Sequence, residues 1–314
     1  MKFKSRNLSS MDFSQEDHSG ENFSKDDCSD SNFSRANLLG ASFIGANLSR
    51  ATFREAILTG ANLSNANLEK TLFENTVLSG SNFVGARMQG LQSRGITGNP
   101  LFSEGGAVVD GYIIAKGVLL DSAEMQGANL KELSLIAANL NESNLSESNC
   151  EGTNFGLAKV FDTNFKYSQM ARSFWSKAEV LGSPFSHSDF SGSHLNNAKF
   201  FECSFQEVDF SESELNYTSF SLCNMTKSLF SESKFFGVTF YESKLNQVEF
   251  LNCSLNGAKF YDCDLSSSFF RNVDLNGVWF DEVKLDGVVS EGLWGSPSSL
   301  PDRWMIRDGK FYKK

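Results

Sequence analysis

The chain has 314 residues, with 28 Lys and Arg against 38 Asp and Glu, a formal net charge of −10. Its 30 Phe argue against disorder, since they supply burial that offsets chain entropy, and the negative charge disfavours generic nucleic-acid binding, which needs cations to neutralise phosphates. No apolar run is long enough to span a bilayer, and the opening "MKFKSRNLSSMDF" lacks the apolar core of a secretory signal, so no membrane contact and a cytoplasmic setting are expected.

A period of five organises residues 1–88. Central apolar residues fall at positions ending in 3 or 8, from Phe3 to Met88, and a small residue lies two places before each, as at Ala36, Ala41, Ala46, Ala51, Ala56, Ala61 and Ala66. Inward positions spaced two and then three describe a very short strand followed by a bend. The first units are irregular: Met1, Arg6, Met11, Glu16, Glu21 and Asp26 occupy the small slots, and His18 and Cys28 the central ones. An acidic metal-binding mouth and a degenerate, partly solvated capping coil both fit this pattern. The capping coil is preferred, because the open edge of such a stack must be blunted.

Residues 36–70, "ANLLGASFIGANLSRATFREAILTGANLSNANLEK", resemble the Ala-(Asp/Asn)-Leu-x-x consensus of the pentapeptide-repeat proteins. The resemblance implies an all-β, right-handed quadrilateral β-helix, a solenoid without a lumen.

Residues 89–124 interrupt the count. "SRGITGNP" at 93–100 has a twin in "SEGLWGSP" at 290–297, and each is followed by Asp-Gly between apolar runs, at 110–111 and 308–309. Both read as β-hairpins: one interrupts the solenoid, and the other, within 290–314, caps it. The resemblance likewise implies capping, and leaves open whether the two solenoid segments stack or meet at an angle.

Residues 125–289 form a second, longer solenoid with centres at positions ending in 0 or 5. Phe recurs every ten residues from Phe190 to Phe280, with mostly Leu between. Four bends per coil bring residues 20 apart into vertical register, so Phe stacks on Phe and Leu on Leu, whereas three bends would mix them. The six cysteines all fall at inward positions, which favours packing over disulfide or metal chemistry. Cys203 and Cys223, 20 apart, should be vertical neighbours with parallel side chains.

No phosphate-binding loop, dinucleotide fingerprint or nucleophile elbow occurs. Ser186, His187 and Asp189 contain the letters of a triad but are expected on the outside of one corner. A filled coil also lacks the concave site that catalysis requires. A non-enzyme without metal or cofactor is expected.

The outward surface of the second solenoid carries more information. The column one place after the Phe200 wall reads Phe161, Leu181, Phe201, Ser221, Tyr241, Tyr261, Asp281. Its neighbour reads Asp162, Gly182, Glu202, Leu222, Glu242, Asp262, Glu282. Stacked carboxylates repel, and an exposed apolar strip marks a contact site. Phe161, Asp162, Phe201, Glu202, Tyr241, Glu242, Tyr261, Asp262 and Glu282 are therefore the candidate partner-binding residues, and their protein partner should be basic and apolar. The competing explanation is that the aromatics merely stack to hold coils in register.

The expected function is a structural or interaction scaffold. The alternative is a DNA mimic that binds DNA gyrase, as the resemblance to quinolone-resistance pentapeptide proteins implies. Residues 125–289 hold 12 basic and 21 acidic side chains, against 9 and 10 in residues 1–88, so the acidic bias is local. The break at 89–124 and the basic "FYKK" end depart from those single uninterrupted rods.

Overall fold

The computed structural model describes residues 5–103 and 105–314; the slots assigned to Met1 and Phe3 lie outside them. Among the described residues there is no helix, and so none long and apolar enough to cross a membrane. The chain divides into two compact units, one of Met1–Asp121 with Leu133–Asn139 and one of Ser122–Glu132 with Leu140–Lys314.

In the first unit the backbone returns to itself every 20 residues: Asn7 pairs with Asp27, Asp27 with Asn47, Asn47 with Asn67 and Asn67 with Arg87, all parallel. The bend follows from the repeat. The carbonyl of Leu8 accepts the amide of Met11 at 3.3 Å while Ser10 takes φ 59°, the geometry of a type II turn. Asn or Asp before the central residue accepts the amide two places on, as Asn7 does from Ser9 at 3.1 Å and Asn47 from Ser49 at 3.3 Å. That bond is the physical reason for the polar letter of the repeat. The seven small-slot alanines from Ala36 to Ala66 are buried.

At the start of this unit the polar groups satisfy one another. Arg6 meets Asp26 at 2.7 Å, and the two His18 ring nitrogens lie 2.6 Å from Glu21 and 2.9 Å from Glu16. Leu8, Phe13 and His18 are half-buried, whereas Phe23, Cys28 and Phe33 are fully buried.

The coil geometry runs on into the interruption. Gln92–Arg94 pairs in parallel with Leu72–Glu74, and Gln92 then pairs with Leu119 in place of a residue 20 further on. Between those partners lies the antiparallel hairpin Ala107–Val109 with Tyr112–Ile114, turning on Asp110 and Gly111, both at positive φ. This coil is seven residues longer than the others, which is why central positions ending in 3 or 8 give way to 0 or 5. Leu119 pairs onward with Asn139, and Val118 and Leu120 are buried, so regular packing resumes before residue 125.

In the second unit, strands of three residues form two parallel sheets on separate walls. One holds seven: Lys159–Phe161, Glu179–Leu181, Lys199–Phe201, Ser219–Ser221, Thr239–Tyr241, Lys259–Tyr261 and Trp279–Asp281. The other holds four: Leu229–Ser231, Glu249–Leu251, Phe269–Arg271 and Val289–Glu291. Phe240 and Phe260 are register partners with rings stacked at 4.9 Å, and Phe250 from the opposite wall meets Phe260 edge-on at 6.4 Å. Rings from facing walls thus fill the interior in the offset and edge-to-face arrangements aromatics prefer. Small-slot hydroxyls donate to carbonyls of the coil below, as Ser228 does to Phe205 at 2.6 Å and Thr218 to Leu195 at 2.8 Å. The six cysteines are buried and free, and burial pushes the Cys150 thiol up to about 12.

The twin motifs are one device used twice. Ser93 and Ser290 stand at central slots, and their hydroxyls accept the amides of Ile113 at 2.8 Å and Phe311 at 2.9 Å. Ile96 donates to Gly111 and Leu293 to Gly309, at 2.9 and 3.0 Å. Gly98 and Gly295 take φ 97° and 86°, and a side chain there would meet the backbone nitrogen of Ser79 or Asn276 at 2.5 or 2.7 Å, so only glycine fits. The terminal hairpin, Trp304–Arg307 with Lys310–Lys313, lays Phe311 edge-on against Phe270 and Phe280 at 5.5 and 6.0 Å and closes that end of the core.

Candidate interaction surface

Each three-residue strand of the seven-stranded sheet buries its middle side chain and turns the two flanking ones outward, as alternation requires. The outer column after the central residue is the expected one: Phe161, Leu181, Phe201, Ser221, Tyr241, Tyr261, Asp281, in continuous register. Phe201 is 43% exposed and Tyr241 46%, while Phe161 and Tyr261 are half-buried. The next residue turns the corner in the left-handed conformation, with φ between 46° and 54° at Asp162, Glu202, Glu242, Asp262 and Glu282. All five carboxylates are exposed.

Two features mark this column. Some carboxylates elsewhere are paired, as in Glu55 with Arg35 at 2.9 Å and Glu214 with Lys234 at 2.9 Å, while others, such as Glu212, Glu232 and Glu249, are not paired among the described residues. Among the described residues, Asp162, Glu202, Glu242, Asp262 and Glu282 form no ion pair. Glu242 and then Asp262 act on the neighbouring phenol, raising the pKa of Tyr241. The one aromatic pair on successive rungs of the column, Tyr241 and Tyr261, are register partners without ring contact, whereas the outward pair Tyr167 and His187 stacks at 5.0 Å.

Sequence reasoning missed the other border of the sheet. The outward residue before each central one forms a column with Lys159, Lys199 and Lys259 in it, and Lys199 pairs with Glu179 at 3.6 Å. That column reads Lys159, Glu179, Lys199, Ser219, Thr239, Lys259, Trp279, so the aromatic column has carboxylates on one side and a mixed border with three lysines on the other. The signal was in the same three-residue strands, in the residue before the centre rather than after it.

The remaining candidates separate in space. Ser186 is buried rather than on the outside of its corner, and its hydroxyl lies 3.0 Å from that of Ser204, one coil on. The turn of that wall brings the residue after Phe185 against Ser204 of the next coil. His187 is exposed and sits 3.3 Å from Glu207, and Asp189 accepts the amide of Ser191 at 2.8 Å. The three do not converge. Among the described residues no group of three His, Cys, Asp or Glu is placed to hold a metal ion. Outward asparagines 20 residues apart serve the backbone: Asn196 accepts the amide of Asn216, and Asn216 that of Phe236, each at 3.0 Å.

Two family profiles match this pattern of closed five-residue units. The profile described as pentapeptide repeats (8 copies) covers residues 22–60, 56–90, 123–159 and 181–216, and that described as pentapeptide repeat region covers 218–280. Together they span more than half of the chain. The chain belongs to the pentapeptide-repeat family. Its fold is the right-handed quadrilateral β-helix of that family.

Among solved structures, the chain is similar to HetL, a pentapeptide repeat protein involved in heterocyst differentiation regulation from the cyanobacterium Nostoc sp. strain PCC 7120. The identity is 14% over 92% of this chain and 91% of that one, with a TM-score of 0.27. It is similar to QnrB1, a plasmid-mediated fluoroquinolone resistance protein, at 18% identity over 57% of this chain and 91% of that one, TM-score 0.27. A pentapeptide repeat protein of the Arabidopsis thaliana thylakoid lumen matches at 30% identity over 29% of this chain and 68% of that one, TM-score 0.18. None of these likenesses carries a functional argument. No curated protein sequence matches the chain.

Proposed function

We propose that this pentapeptide-repeat protein is a non-catalytic scaffold that binds a protein partner through the acidic–aromatic column of its second unit. The observation that supports this reading is the pair Tyr241 and Tyr261, on successive rungs without ring contact, beside Glu242, Asp262 and Glu282, which form no ion pair among the described residues. Stacking for coil register would bring Tyr241 and Tyr261 into contact, as it does Tyr167 and His187. Repulsion among Glu242, Asp262 and Glu282, on successive rungs about 4.8 Å apart, is a standing cost that a basic partner relieves on docking. The three lysines add register, since a partner offering base and apolar groups on one edge can place acids on the other. A cytoplasmic setting accompanies the proposal, because six free buried thiols fit a reducing compartment.

A pull-down from the source cell lysate tests this. The variant Tyr241→Ser with Tyr261→Ser should lose the partner while its circular dichroism spectrum stays that of the parent. Retention of the same partner by that variant would remove the column from the function.

The unpaired carboxylates also favour a second reading, mimicry of a nucleic-acid backbone toward a basic enzyme surface such as that of DNA gyrase. Lys159, Lys199 and Lys259 weigh against it, because a phosphate backbone has no such cations. Supercoiling by gyrase, with and without quinolone, decides the matter: inhibition or protection supports mimicry, and unaltered supercoiling excludes it.

A further inference from the structure

Among the described residues, one wall of the first unit shows no bridge beyond Arg87. Arg87 pairs below with Asn67, but the chain that would pair above it departs into the hairpin at 107–114. The wall resumes only at Ser134, whose amide donates to the Gly105 carbonyl at 2.8 Å. Beside Arg87 lies a half-open cleft of about 370 Å³. Its apolar lining includes the core residues Phe83 and Met88, 1% and 7% exposed, with Phe102, whose ring stacks on Phe83 at 5.4 Å. Ala86, in a small inward slot, also lines it.

Two cations complete the lining, Arg87 and Lys116, both exposed. Arg35, Arg50 and Arg54 of the same unit are each held by a carboxylate, whereas neither Arg87 nor Lys116 forms an ion pair among the described residues. An apolar hollow with convergent polar groups, in the lower part of the size range of small-molecule sites, has the makings of a ligand pocket. Glu104 lies outside the described residues.

We propose that the cleft binds a small amphipathic anion, its apolar body against Phe83, Met88 and Phe102 and its carboxylate or sulfonate between Arg87 and Lys116. A medium-chain fatty acid and an aryl carboxylate share this chemistry. The site lies wholly within the first unit and does not depend on the acidic–aromatic column.

Fluorescence titration of the full chain with 8-anilinonaphthalene-1-sulfonate tests the proposal, with decanoate, 1-naphthoate and uncharged decanol as competitors. The expected result is saturable binding to one site, displaced by decanoate or 1-naphthoate, whichever class fits, and at least tenfold less well by decanol. The variant Arg87→Glu with Lys116→Glu, altered only at exposed side chains, should weaken binding at least tenfold, and Ala86→Leu should block it by filling the hollow. Failure to saturate, equal displacement by decanol, or unchanged affinity in both variants would overturn it.

Discussion

The hydroxyl of Ser290 accepts the backbone amide of Phe311 at 2.9 Å, tying the terminal hairpin to the last coil at a slot that elsewhere holds Phe or Leu. Ser93 does the same for Ile113 at 2.8 Å. Replacing either serine with alanine orphans an amide, at a cost of about 1–3 kcal/mol where the group is buried. Ile113 is fully buried and Phe311 is 8% exposed. Ser93→Ala should therefore destabilise more than Ser290→Ala, as read from urea midpoints at constant slope.

Core and surface aromatics should behave oppositely. Phe260 is fully buried, stacked between Phe240 at 4.9 Å and Phe280 at 5.2 Å. Phe260→Ala should cost about 3–5 kcal/mol. Phe201→Ala, at a position 43% exposed, should stay within about 0.5 kcal/mol of the parent in the same denaturation experiment. Comparable losses at both sites would mean that the outward aromatics serve the fold.

Acid sensitivity should localise in part to Glu214. The Lys234 ammonium at 2.9 Å, then His194 at 3.2 Å and Asn196 at 3.3 Å, bring its pKa from 4.5 down to about 2. A carboxylate depressed on folding contributes stability that is complete above its unfolded value and is lost as pH falls toward its folded one. In Glu214→Gln, stability at pH 7 should be lower and its decline from pH 4.5 to 2 shallower than in the parent, as measured by urea unfolding across that window. An unchanged slope would show that Glu214 does not titrate with folding.

The parts of this fold legible in the sequence are those in which burial repeats. Phe240, Phe260 and Phe280 announced both the period and the four walls, since only a coil of four bends stacks them, and the Asp-Gly pairs at 110–111 and 308–309 marked both hairpins by their backbone demands. The seven-residue lengthening between Gln92 and Leu119 was not legible, because the hairpin carries its own two-residue alternation and masks where the coil resumes. Of the candidate surface, Phe201, Tyr241 and the carboxylates beside them could be placed outward by counting. The lysines at 159, 199 and 259 needed the three-residue strand, which turns the residue before the centre outward as well. Ser186 was misplaced because counting gives direction but not the depth to which a tight turn packs a side chain against the next coil.

In the second unit each five-residue module offers one large and one small side chain to the interior, Phe and Leu mostly on separate walls. Excising one module between Phe201 and Tyr241 would set Phe against Leu at the junction and swing everything beyond it through a quarter turn, parting Phe161 and Phe201 from Tyr241 and Tyr261.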